Sequence, residues 1–89
     1  MNVVWASRAW TDDVGWQSQD ERIAGKINDL IADIRRNPFA GIGKPEPLKG
    51  SLAGWWSRRI TDEHRLVYRV LGKRGEGQQV EILQCRFHY

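Results

Sequence analysis

Glu46 stands between Pro45 and Pro47, so one carboxylate is carried on an unusually stiff stretch of chain. Both prolines fix φ and neither offers a backbone donor, so the peptide is expected to run extended. Rigidity of that kind suits a general base, which must be held within reach of the proton it removes. The last two residues are His88 and Tyr89. Frayed ends rarely carry function, but an imidazole that titrates near neutral pH fits a docked terminal strand that presents an acid or base. Arg58, Arg59, His64 and Arg65 gather around one predicted turn. Arginine meets phosphate through a planar fork of donors, so this cluster suits a scissile phosphate and its developing charge.

Each group also has a plain reading. Glu46 can be a surface glutamate in a rigid linker, and His88 an exposed terminal histidine. Asp62 and Glu63 allow the arginines to be ordinary surface pairs, worth little each. Lys44 and Lys49, two and three residues from Glu46, would lower its pKa if their ammonium groups approached it. No metal site is expected, because two histidines and one cysteine fall in no ligand spacing. The glycines form no phosphate loop and there is no nucleophile elbow, so no cofactor is expected either.

The elements that must position these groups can be read in outline. Asn2 to Trp5 is a β-branched run that predicts an opening strand. Ser7 offers a helix cap, with Asp12 and Asp13 in the early turns and Trp10, Val14 and Trp16 as a modest apolar side. Asp20 with Glu21 predicts a second cap. Ile23, Ile27, Leu30, Ile31 and Ile34 follow as a helical stripe that must end near Asn37, ahead of Pro38. Residues 38–50 hold all three prolines with Gly41, Gly43 and Gly50, and read as a connection rather than an element. A loop that long in a compact domain is often functional.

The remainder reads as an antiparallel meander: Trp55 to Ile60, a turn at Thr61 to His64, Arg65 to Leu71, a glycine-rich tip at Gly72 to Gly77, then Val80 to Phe87. Alternation in the last strand puts Glu81, Leu83, Cys85 and Phe87 on one face, expected to meet the helices. Ile82, Gln84, Arg86 and His88 fall on the other, toward solvent or substrate. Tyr89 is thereby set opposite His88, so a shared site requires a bend near Phe87. The 89 residues are expected to form a single α+β domain, residues 1–89, with two N-terminal helices on a twisted antiparallel sheet of four to five strands.

Charge narrows the partners. Residues 1–45 hold six Lys/Arg and six Asp/Glu, while residues 46–89 hold eight against five, so the whole excess of +3 lies in the second half. With a pI near 9.4, that asymmetry points to an anionic partner or to a solvated basic face. Five tryptophans are many for so small a core, so some are expected in partner surfaces. The lone Cys85 excludes an internal disulfide and fits a reducing compartment. No basic-then-apolar leader and no spanning run is present, so a cytoplasmic protein with no membrane role is expected.

Several stretches resemble the YoeB-type toxins of bacterial toxin–antitoxin pairs: Lys44-Pro45-Glu46-Pro47-Leu48-Lys49, Trp56-Ser57-Arg58-Arg59-Ile60-Thr61, Glu63-His64-Arg65-Leu66-Val67-Tyr68 and His88-Tyr89. Trp5, Trp10, Trp16 and Arg35-Arg36 before Pro38-Phe39 fit as well. The hairpin Gly72 to Gln79 is the main departure, being several residues longer than usual. The resemblance implies a RelE-like fold and a metal-independent endoribonuclease that cuts messenger RNA in the ribosomal A site. It implies neutralisation by a YefM-like antitoxin, operator DNA as a further partner through that complex, and allows a homodimer. Residue by residue it makes Glu46 the general base, Arg65 the phosphate-stabilising arginine, His88 the general acid and Tyr89 a substrate-orienting residue. Lys49 and Arg59 match basic positions near the RNA, and Lys44 is grouped with them. A non-catalytic ParE-like toxin that binds DNA gyrase is the alternative; it would need neither the Pro-Glu-Pro loop nor the His-Tyr ending.

Overall fold

The computed structural model describes residues 1–87; His88 and Tyr89, on which the acid and the orienting group were expected, lie outside the described residues. Along the chain run β1 (Asn2–Trp5), α1 (Ser7–Gln19), α2 (Glu21–Arg36), β2 (Glu46–Pro47), a 3-10 turn (Gly50–Leu52), β3 (Trp56–Arg59), β4 (Arg65–Lys73) and β5 (Glu76–Gln84). The strands form one sheet in the order β1-β5-β4-β3-β2. β1 lies parallel to β5, with Val3 opposite Val80 and Trp5 opposite Ile82, whereas every other pairing is antiparallel. The sheet is therefore mixed, where a wholly antiparallel one was expected. A two-helix crossover separates β1 from the other strands, and such a crossover can return the chain parallel to its start. Among the described residues no helix is long and apolar enough to cross a membrane.

α2 forms as the sequence predicts. The Asp20 carboxylate accepts from the N–H groups of Arg22 and Ile23, satisfying two donors that the first turn leaves free. Ile27, Leu30 and Ile34 are fully buried, with Ile23 and Ile31 packed beside them. Burial of each of those three contributes roughly 1.5–3 kcal/mol. The helix ends at Arg36, and the Asn37 N–H closes the last turn on Asp33.

α1 departs from expectation. Ser7 makes no cap; Ala6 occupies that position without a side-chain bond. Ala9, Asp13 and Trp16 are buried, while Trp10 and Val14 are exposed. The indole of Trp16 belongs to the core and that of Trp10 to the surface, resting edge-on against Trp5.

Three further corrections concern the strands. Part of the 38–50 connection is an element after all: Glu46 pairs with Ser57 and Pro47 with Trp56. Proline is tolerated there because β2 is an edge strand with one side unpaired. The expected glycine-rich tip is mostly sheet, since Lys73 pairs with Glu76 and only Arg74 and Gly75 turn the chain. β5 also stops at Gln84 rather than Phe87.

The facing of β5 follows from a bulge. Tyr68 pairs with Ile82 and Val67 with Gln84, so Leu83 is an extra residue on β5. Before the bulge, Val80 and Ile82 face the helices, opposite to the expected assignment, and Glu81 faces away. After it, Cys85 is in the core and Gln84 faces away, as alternation had predicted. One extra residue flips a strand's faces, and a single twofold rule cannot hold on both sides of it.

Candidate active site

The side of the sheet away from the helices brings the expected base and arginines together. Directly paired residues share a face. Arg59 stands opposite Arg65, giving a first row across β3 and β4. Two residues along, Glu46, Ser57, Val67 and Gln84 make a second row that crosses β2, β3, β4 and β5. A third row pairs Arg69 with Glu81. Strands are about 4.8 Å apart and two residues span about 7 Å, which sets the Cα atoms of Glu46 and Arg65 roughly 12 Å apart.

Glu46, Lys44, Lys49 and Arg59 are all exposed. Lys44 adopts φ 51°, a left-handed turn just before the extended Pro45-Glu46-Pro47. Lys49 leads into the 3-10 turn at Gly50–Leu52. Among the described residues no ion pair joins either lysine to Glu46.

Arg65 is half-buried and its guanidinium is held from behind. Nη1 donates to the carbonyls of Thr61 at 2.7 Å, His64 at 3.1 Å and Asp62 at 3.2 Å. That turn is itself fixed by Thr61 Oγ1, which accepts from the N–H groups of Glu63 and His64. Among the described residues, all of the bonds donated by this guanidinium leave through Nη1. The fork is thus oriented without consuming its other edge, which suits bidentate contact with an anion.

Arg58 and His64, grouped with these residues on sequence, have other work. Arg58 is fully buried on the helix side of β3. It donates to Asp33 at 2.5 Å, to the carbonyls of Asn37, Ala40 and Ile42 at 2.7, 3.0 and 3.1 Å, and to the Tyr68 hydroxyl at 3.2 Å. Tyr68 in turn donates to the Pro38 carbonyl at 2.6 Å, and burial raises its pKa and keeps it protonated. Together these bonds fold the 37–42 segment over α2 and aim the chain toward β2. Gly41 is required there: its φ is 124°, and a Cβ would strike the Asp33 carboxylate. His64 is buried against Trp16, and its Nδ1 accepts the Phe87 N–H.

Ser57 and Val67 were not singled out on sequence, and Gln84 was read only as facing solvent or substrate. All three are buried within the second row, and the Gln84 side chain donates to the Arg86 carbonyl. Strand parity was the available signal, because Ser57 is two residues from Arg59 and Val67 two from Arg65. The third row is also organised: the Arg69 guanidinium lies 4.5 Å from the Trp55 ring centre and 3.2 Å from the Glu81 carboxylate. Among the described residues no three His, Cys, Asp or Glu side chains gather as a metal site.

Residues 5–89 match the family described as YoeB-like toxin of bacterial type II toxin-antitoxin system. The chain belongs to this family of YoeB-like toxins. The toxin YoeB of Escherichia coli K12 is similar to it at 53% identity over 89 residues, covering all of both chains. Among solved structures, a YoeB/ParE toxin from Agrobacterium tumefaciens is 60% identical over the whole of both chains, with a TM-score of 0.94. YoeB from Staphylococcus aureus has been solved as a dimer and in a heterotetrameric complex with YefM. That protein is 41% identical, with a TM-score of 0.88, over all of this YoeB-like chain and 98% of its own. YafQ from E. coli, 16% identical at a TM-score of 0.75, shares the fold of these YoeB-like proteins.

Proposed function

We propose that this YoeB-like toxin is a ribosome-dependent endoribonuclease that cuts messenger RNA in the A site and so inhibits translation. The observation that carries the reading is the common sheet face of Glu46, Arg59 and Arg65, one row apart. In this mechanism Glu46 takes the proton of a ribose 2′-hydroxyl, and the freed oxygen attacks the adjacent phosphorus. Arg65 stabilises the charge that builds on the non-bridging oxygens. His88, as imidazolium, protonates the departing 5′-oxygen. The new bond joins the 2′-oxygen to phosphorus and the bond to the 5′-oxygen breaks, which leaves a 2′,3′-cyclic phosphate and a 5′-hydroxyl. Tyr89 orients the substrate, and Lys44, Lys49 and Arg59 hold the RNA backbone. Arginine provides the positive charge at the phosphoryl group, so no step is routed through a metal ion or cofactor.

The partners proposed are the ribosome with its messenger RNA, a YefM-like antitoxin, and operator DNA reached through the antitoxin complex. A homodimer is proposed from the S. aureus relative. Exposed Trp10 and Val14, on one side of α1, offer apolar anchors to a protein partner. The proposed place of action is the cytoplasm.

Purified Glu46→Gln and His88→Ala variants test the mechanism in a translating extract, with cuts mapped by primer extension. Each should keep the wild-type melting temperature and lose about a hundredfold or more in cleavage. Wild-type cutting by both overturns the assignment. Uncut transcripts together with inhibited gyrase would put the gyrase-binding alternative, which family membership does not favour, in its place.

A further inference from the structure

The segment that leads to His88 is held almost atom by atom. The Cys85 N–H donates to Asp12 at 3.1 Å, and the Cys85 carbonyl accepts from the Trp16 indole at 2.9 Å. Gln84 donates to the Arg86 carbonyl at 3.3 Å. The Phe87 N–H donates to His64 Nδ1 at 2.8 Å, and its carbonyl accepts from the Arg65 N–H at 3.1 Å. The Arg86 guanidinium adds a bond to Gln19 at 2.6 Å and lies 4.2 Å from the Trp16 ring centre. Five backbone groups in three residues are thus taken up by α1, by the 61–65 turn and by Gln84. Phe87 has φ 60°, a left-handed conformation that a bulky residue keeps only where its surroundings impose it.

We propose that His64 is a positioning residue: by accepting the Phe87 N–H it fixes the backbone of the residue before His88 relative to Arg65. His64 and Arg65 are neighbours on one turn, and both grip Phe87. The residue read as phosphate-stabilising and the residue preceding the one read as the acid are therefore parts of a single unit. Accepting at Nδ1 requires a lone pair there, so the proton of neutral His64 is on Nε2, which faces the Glu63 carboxylate at 3.7 Å. The ring has little freedom to choose another partner, since it packs against Trp16 with centres 4.7 Å apart and against Phe87 at 5.4 Å. His64 touches no substrate in this scheme and acts through the backbone of Phe87.

The inference rests on His88 being the acid, and the test separates the two. His64→Phe keeps the bulk and removes the acceptor, whereas His64→Asn keeps an acceptor near Nδ1. Hydrogen exchange at the Phe87 amide and single-turnover cleavage of ribosome-bound messenger RNA are read on each. Expected for His64→Phe is exchange faster by about tenfold or more and a kcat lower by about tenfold with KM within twofold. Expected for His64→Asn is recovery of both to within about threefold. In a His88→Ala background the His64→Phe change should cost nothing further, because its effect passes through His88. Should His64→Phe not fold, replacing Phe87 by its α-hydroxy analogue through ligation deletes the same donor and leaves His64 intact. Full kcat in either the His64→Phe protein or that ester overturns the proposal, as does an equal loss in Asn and Phe variants. A wild-type rate for His88→Ala would instead sink the acid, while Phe87 exchange still reports on His64.

Discussion

Arg58 on β3 and Asp33 on α2 meet at 2.5 Å, with the guanidinium fully buried and the carboxylate side chain 17% exposed. This pair fastens the second helix to the sheet and, through three further carbonyls, shapes the segment that delivers Glu46 to the edge. Removing one partner of a buried pair leaves an uncompensated charge or a set of orphaned acceptors. Arg58→Ala should therefore cost about 3–5 kcal/mol. Urea unfolding of the purified variant measures it, and a change below about 1 kcal/mol would contradict the role given to Arg58.

The same pair sets an acid limit on stability. The hydrogen bond from Arg58 holds the Asp33 pKa below its ordinary value of 3.8, against the opposing effect of burial. A folded pKa below the unfolded one means that the contribution is present above the unfolded value and is lost as pH falls through the folded one. The contribution of this carboxyl to the urea midpoint should be constant down to about pH 4 and fall below it. In Asp33→Asn the part of that fall due to this carboxyl should be missing, so an identical acid profile in the variant would refute the linkage.

Arg59 and Arg65 face one another directly on adjacent strands, an arrangement of like charges that disfavours the folded state until an anion lies between them. Arg59→Ala should leave the melting temperature unchanged or slightly higher. It should weaken binding to a short RNA and reduce the salt dependence of log K against log salt by about one unit of slope. Unchanged RNA affinity with an unchanged slope would remove Arg59 from the RNA path.

Cys85 gives a kinetic readout of the core. Burial, followed by the nearby Asp12 and Asp13, pushes its thiol up to about 12, and its Sγ lies 3.6 Å from the Ala9 carbonyl. Only the thiolate is nucleophilic, so at pH 8 the native protein should resist iodoacetamide. Modification should follow the opening of the fold and speed up with added urea. Stoichiometric labelling within seconds under native conditions would argue against the packing around Cys85.

Local rules carried the reading of α2, where the cap at Asp20 and the stop at Asn37 depend on a few neighbouring residues. They failed wherever the outcome was decided at a distance. Arg58 looked like Arg59 in a list of cations, yet adjacent strand residues point to opposite faces. Parity with Trp56 and Ile60 would have sent Arg58 toward the core, where the half-buried Asp33 and the buried Tyr68 await it. The bulge at Leu83 has no signature of its own, because it is set by how β5 registers on β4. The parallel partnership of β1 with β5 was equally hidden, since it spans nearly the whole chain. For the site, the stiff Pro-Glu-Pro stretch marked Glu46 and residue type marked Arg65. The gripping of Phe87 was invisible, because backbone acceptors and donors carry no trace in composition.

The sheet order places β5 between β1 and β4, although some seventy residues separate β1 from β5. Until β5 docks, β1 has no neighbour to pair with, and the row that starts at Glu46 stops at Val67. Domains dominated by such distant pairings fold slowly, because a long loop must close before its contacts form. The second row is therefore complete only once β5 has inserted between β1 and β4.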